Sequence, residues 1–186
     1  MCVVCYLSTD RDIADIPFDE CAPTFNLQKT DERPLPCLTK RFVYHCGANT
    51  GCGCAFGKLG GITEEILQQT ERDFLKGALR KKTSMMWWNV MEPPPKNREA
   101  FYEQAKEIRM SRRDTLALYD LIADTWRNGY ACEVLVFWYG DEQKFPVQVH
   151  DFDLHHAPIA IDFDTFHINT SDQVRLYRFP IGCDSD

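Results

Sequence analysis

The clearest pattern along the chain is a set of short apolar runs with strand periodicity. Cys2 to Ser8 is a brief run rich in Val and Tyr and predicts a strand. Arg41 to Cys46 alternates, which places Phe42, Tyr44 and Cys46 on one face and Arg41, Val43 and His45 on the other. Ala131 to Tyr139 is nearly all apolar and predicts a central strand buried on both faces. Gly140 to Lys144 has turn chemistry, so Phe145 to His150 is expected to return as the second arm of a hairpin. Ile159 to Ile168 and Val174 to Phe179 are further extended candidates, with a short piece near Phe25 to Gln28 inside a Pro-interrupted connection over residues 10–37.

Helical spacing appears between these strands. Thr63 offers a capping hydroxyl, Glu64 and Glu65 suit the first turn, and Ile66, Leu67, Phe74, Leu75, Ala78 and Leu79 form a stripe toward Arg80. Asn97 to Met110 predicts a second helix through Phe101, Ala105 and Ile108. Ser111-Arg112-Arg113-Asp114 has the form of a capping box, so a third helix, or a kinked continuation, is expected through Leu118, Ile122 and Trp126. Gly129 after Asn128 supplies a stop. The predicted architecture is α+β: a mainly antiparallel sheet of four to six strands, with two or three helices packed on one face. At 186 residues the chain suits a single domain, 1–186.

Composition narrows the function classes. The formal charge of −7 disfavours nucleic acid and anionic membrane as partners. Its short basic runs, Arg80 to Lys82 and Arg109 to Arg113, fall at expected helix ends or connections. No stretch approaches a membrane span, and the first ten residues lack a secretory leader, which predicts a cytoplasmic chain. The nine cysteines are then expected as mostly reduced thiols.

Three of them share one loop. Residues 45–57 read His-Cys-Gly-Ala-Asn-Thr-Gly-Cys-Gly-Cys-Ala-Phe-Gly, within a stretch from Gly47 to Gly61 that holds six glycines. Cys46, Cys52 and Cys54 offer three soft donors, and the glycines let the backbone fold so that sulfurs converge. Zinc is the expected cofactor, with His45, Cys2, Cys5 or a C-terminal His as the fourth ligand. The Cys-x-Cys spacing is tighter than the usual zinc pair. A second reading makes Cys52 or Cys54 a reactive thiol or a reducible pair in an enzyme. A third is a non-catalytic binding module in which the loop is a purely structural turn with small buried hydrophobes. Gly57-Lys58 lacks the upstream glycine and following hydroxyl of a phosphate loop, and Gly51-x-Gly53 lacks the third glycine of a dinucleotide fingerprint, so no nucleotide cofactor is expected.

The loop's Gly51-Cys52-Gly53-Cys54-Ala55-Phe56, after an aromatic strand, resembles a group of small bacterial proteins of uncharacterised function that carry Gly-Cys-Gly-Cys-Gly-Phe. Ile16-Pro17-Phe18 and Phe25-Asn26 share in the resemblance, which covers the first third of the chain. Ala55 stands where that pattern has Gly. The resemblance implies a role for the loop but no particular activity.

Other features have plainer readings. Cys2 and Cys5, three apart on one strand, point to opposite faces and belong to the core. Met85-Met86-Trp87-Trp88 before Pro93-Pro94-Pro95 reads as a rigid crossing, or else an exposed aromatic binding patch. His150, Asp151, Asp153, His155, His156, Asp162, Asp164 and His167 read as a solvated sheet face, with an oxygen- and nitrogen-donor metal site as the alternative.

Overall fold

The structure is a computed structural model. It describes residues 3–22, 24–32, 36–51, 53, 56, 63–76, 95–140, 147–152 and 174–181. Six strands form one mixed, mostly antiparallel sheet: β1 (Val3–Thr9), β2 (Asn26–Thr30), β3 (Phe42–Gly47), β4 (Cys132–Trp138), β5 (Val147–Asp151) and β6 (Val174–Phe179). Their order is β2-β3-β1-β4-β6-β5, antiparallel throughout except for β5 against β6. Two helices stand among the described residues, α1 (Glu64–Leu75) and α2 (Arg98–Arg127).

The alternation read from β1 and β3 sorts their side chains as expected. Val3, Cys5 and Leu7 share a buried cluster with Tyr44, Cys46 and Val134. Val4, Tyr6 and Val43 join Leu135, Phe137 and Leu176 in a second cluster. Strand β4 contributes to both, as its unbroken apolar run requires.

The expected hairpin between β4 and residues 145–150 does not form. β5 pairs with β6, in parallel, at the sheet edge. Strand β6 takes the place beside β4 because it offers Val174, Leu176, Tyr177 and Phe179 for burial, whereas most of β5 is exposed. The inner position goes to the strand with more apolar surface to hide.

Thr63 caps α1 as expected, its hydroxyl accepting the Ile66 N–H at 3.3 Å. The helix stops at Leu75 with Lys76 as its C-cap, short of Arg80.

The expected break at Ser111 is absent, and α2 runs unbroken for 30 residues. Its buried stripe includes Phe101, Ala105, Ile108, Ser111, Thr115, Leu118 and Ile122, which follow helical spacing. The Ser111 and Asp114 that suggest a capping box are polar members of the buried face. Phe101, Ala105 and Ile108 form a small core with Leu67 of α1, where Phe74 stacks on Phe101 at 5.1 Å. Leu118, Tyr119 and Ile122 join the cluster of Cys5 and Leu7. Asn128 and Gly129 end the helix as expected, with Gly129 at φ +81°.

No helix among the described residues is long and apolar enough to cross a membrane. The expected strand at residues 159–168, the Trp87-Trp88 crossing with Pro93 and Pro94, and Cys2 lie outside the described residues. So do Asp153, His155, His156, Asp162, Asp164 and His167.

Candidate functional site

Strand β3 delivers Cys46 to the start of the Cys-Gly loop. Its register sets Cys46 directly opposite Cys5 of β1, with Leu27 of β2 on its other side. Both thiols face the same buried cluster; Cys46 is 0% exposed and Cys5 is 1% exposed. Directly opposed residues of an antiparallel pair place their Cβ atoms about 4.5–5.5 Å apart, so the two thiols are neighbours. The Cys46 thiol is pushed well up from its ordinary value of 9.0 by burial and then by the adjoining Cys5 thiol. Its Sγ lies 4.0 Å from the carbonyl of Tyr44, a weak acceptor contact.

His45 is not part of this group. It lies on the other sheet face, edge-on to Tyr6 at 5.5 Å between ring centroids, and burial lowers its pKa. Among the described candidates for a fourth ligand, Cys5 lies opposite Cys46.

The loop is fastened to the body at several points. Asn26 donates from Nδ2 to the Ala48 carbonyl at 3.1 Å. A Cβ on Gly47 would fall 2.4 Å from Asn26 Oδ1, so any larger residue there would push the Asn26 amide out of this position. Gly51 donates its N–H to Ala48 O at 2.8 Å. Asn49 donates its N–H to Oδ2 of Asp114 at 2.8 Å. Asp114 is 1% exposed, and Arg113 donates to its other oxygen at 2.9 Å. The polar interruption of the α2 stripe is therefore the anchor of the loop. Phe56 then packs its ring against Phe25, 6.1 Å between centroids.

Gly53, the glycine between Cys52 and Cys54, is buried on β1. A Cβ there would lie 3.1 Å from each of three atoms: Cys5 Cβ, Cys5 N and Val3 O. The loop backbone thus rests directly on the strand that carries Cys5. Cys52 and Cys54 themselves lie outside the described residues, so the three-cysteine set expected from sequence is described only at Cys46. Among the described residues, no three His, Cys, Asp or Glu side chains come together as a metal site.

Asp114 escapes the sequence reading, and Cys5 stands there only as one of several possible fourth ligands. Cys5 was assignable to the core, but its pairing with Cys46 depends on β1 lying beside β3. Asp114 has the sequence signature of a cap and acts as a buried acceptor. A buried acid on the apolar stripe of a long helix is the signal that points to it. The remaining described cysteines are dispersed: Cys132 is buried, Cys37 half-buried and Cys21 exposed, all free thiols. Burial pushes the Cys132 thiol up to about 12.

Comparison of the chain with protein-family models, curated proteins and solved structures finds no match.

Proposed function

We propose that the Cys-Gly loop and the adjoining strands bind zinc or a similar soft metal through thiolates, with Cys46, Cys52 and Cys54 joined by Cys5. The observation that carries this reading is the facing pair Cys5 and Cys46, with Gly53 of the loop resting on Cys5. Cys52 and Cys54 flank that glycine in the sequence. Four thiols meet the tetrahedral all-sulfur preference of structural zinc. Burial keeps the metal-free Cys46 thiol protonated, so a bound cation has to displace that proton. Uptake should therefore release protons and strengthen as pH rises. In a reducing cytoplasm, the expected location of the chain, such thiols stay available.

The role proposed for the metal is structural, since a centre closed by four thiolates leaves no open coordination position for substrate. Elemental analysis of protein purified without chelator tests the proposal. The expected result is about one equivalent of zinc per chain, lost on Cys46→Ala. Below about a tenth of an equivalent of any transition metal, the loop is a packing turn, the role that the seating of Gly53 on Cys5 also suits.

A further inference from the structure

The facing thiols on β1 and β3 have a chemistry that needs no metal. We infer that Cys5 and Cys46 are a redox-modifiable pair, able to close to a cross-strand disulfide when a hydroperoxide reaches them. Direct opposition in an antiparallel ladder holds the two Cα atoms about 4.5–5.5 Å apart, inside the 4.4–6.8 Å that a disulfide spans. The Cβ atoms need approach by only about 1 Å. Both thiols face the same side of the sheet, so neither strand has to turn over. No other pair among the described cysteines is placed opposite in a strand register.

The reaction balances with hydrogen peroxide as oxidant. The sulfur of one thiol attacks a peroxide oxygen, the O–O bond breaks, and a sulfenic acid and one water form. The second sulfur then displaces the sulfenic oxygen as a second water, giving the S–S bond. Two thiols lose two electrons and two protons, and one peroxide becomes two waters. Burial makes the pair slower to react than exposed Cys21, because the oxidant must enter through local opening of the sheet. The inference stands on Cys5 and Cys46 alone. It bears on the proposed metal centre only because a disulfide would remove two of its four thiolates, making metal binding and oxidation mutually exclusive.

The test uses metal-stripped protein, so its outcome is independent of whether zinc binds. After hydrogen peroxide treatment, remaining thiols are alkylated in denaturant and the chain is digested with trypsin without reductant. Cys5 then lies in the peptide Met1 to Arg11 and Cys46 in Phe42 to Lys58. The expected product is these two peptides joined, lighter by two hydrogens, with fragmentation placing the bridge on Cys5 and Cys46. The same digest of a Cys2→Ser/Cys52→Ser/Cys54→Ser variant leaves only Cys5 and Cys46 in the two peptides, and the bridge should persist. If that variant does not fold, fragmentation of the parent peptides decides alone. Cys5 and Cys46 still recovered alkylated after oxidation prolonged well past the point at which Cys21 is fully oxidised would overturn the inference, as would bridges from either residue to another cysteine.

Discussion

Replacing Gly53 with alanine probes the contact on which the site is built. The added Cβ would sit 3.1 Å from Cys5 Cβ, Cys5 N and Val3 O, and two of those three atoms are backbone. Ordinary carbon contacts are longer, about 3.5–4.0 Å. The loop or β1 must therefore give by a few tenths of an ångström, and β1 is held on both sides, by β3 and by β4. Overpacking of this kind costs about 1–3 kcal/mol. For a chain of this size, that lowers Tm by roughly 2–12 °C. Thermal unfolding followed by circular dichroism measures the loss. Gly129→Ala is the comparison, since nothing lies within 4 Å of its added Cβ and only the φ of +81° opposes it. The same samples, alkylated in the native state, should show Cys5 reacting faster in Gly53→Ala than in the parent, as the loop lifts from it. A Gly53→Ala protein within about 0.5 kcal/mol of the parent, with Cys5 equally protected, would refute the seating of the loop on β1.

Further outcomes follow from the buried polar groups and thiols. Asp114→Ala removes the acceptor of the Asn49 N–H and should cost about 1–3 kcal/mol in urea unfolding; a change below about 0.5 kcal/mol would show that α2 does not anchor the loop. Glu133, buried in β4, accepts from Ser8 Oγ, Thr39 N and Thr39 Oγ1 at 2.6–2.7 Å, so Glu133→Gln, which keeps one acceptor oxygen, should cost about 1–3 kcal/mol by the same measurement. Cys132 holds its proton to about pH 12 when folded, against an ordinary value of 9.0. Its contribution is therefore intact below about pH 9 and is lost as pH rises from about 9 to 12, by at most ~4 kcal/mol. Urea unfolding across that range should show a shallower alkaline decline in Cys132→Ala. Arg109→Ala breaks the exposed ion pair with Glu64 that joins α2 to α1, and should cost under about 1 kcal/mol, a difference that vanishes in 1 M salt.

The parts of the fold legible in the sequence are those fixed by local periodicity. Alternation in Phe42 to Cys46 assigns each side chain to a face, and the apolar run from Cys132 announces an inner strand. Thr63 and Gly129 mark helix ends through cap chemistry that acts within a few residues. What escapes depends on partners distant in sequence. Ser111 and Asp114 match a cap locally, but their side chains point into the buried face where the loop docks, so the helix continues. Placing β6 rather than β5 beside β4 is a competition for burial, which short-range turn signals after Tyr139 do not report. The candidate site divides in the same way. Its glycines and cysteines are visible as a motif, whereas the opposition of Cys5 and Cys46 is a property of the β1–β3 register.

The proposed metal centre would join four thiolates, those of Cys5, Cys46, Cys52 and Cys54. X-ray absorption at the zinc edge, on protein loaded with one equivalent of zinc and freed of excess, tests it most directly. The expected spectrum has a first shell of four sulfurs at about 2.3 Å, falling to three on Cys5→Ala. A first shell made mainly of nitrogen or oxygen, or a sulfur count unchanged by Cys5→Ala, would contradict it.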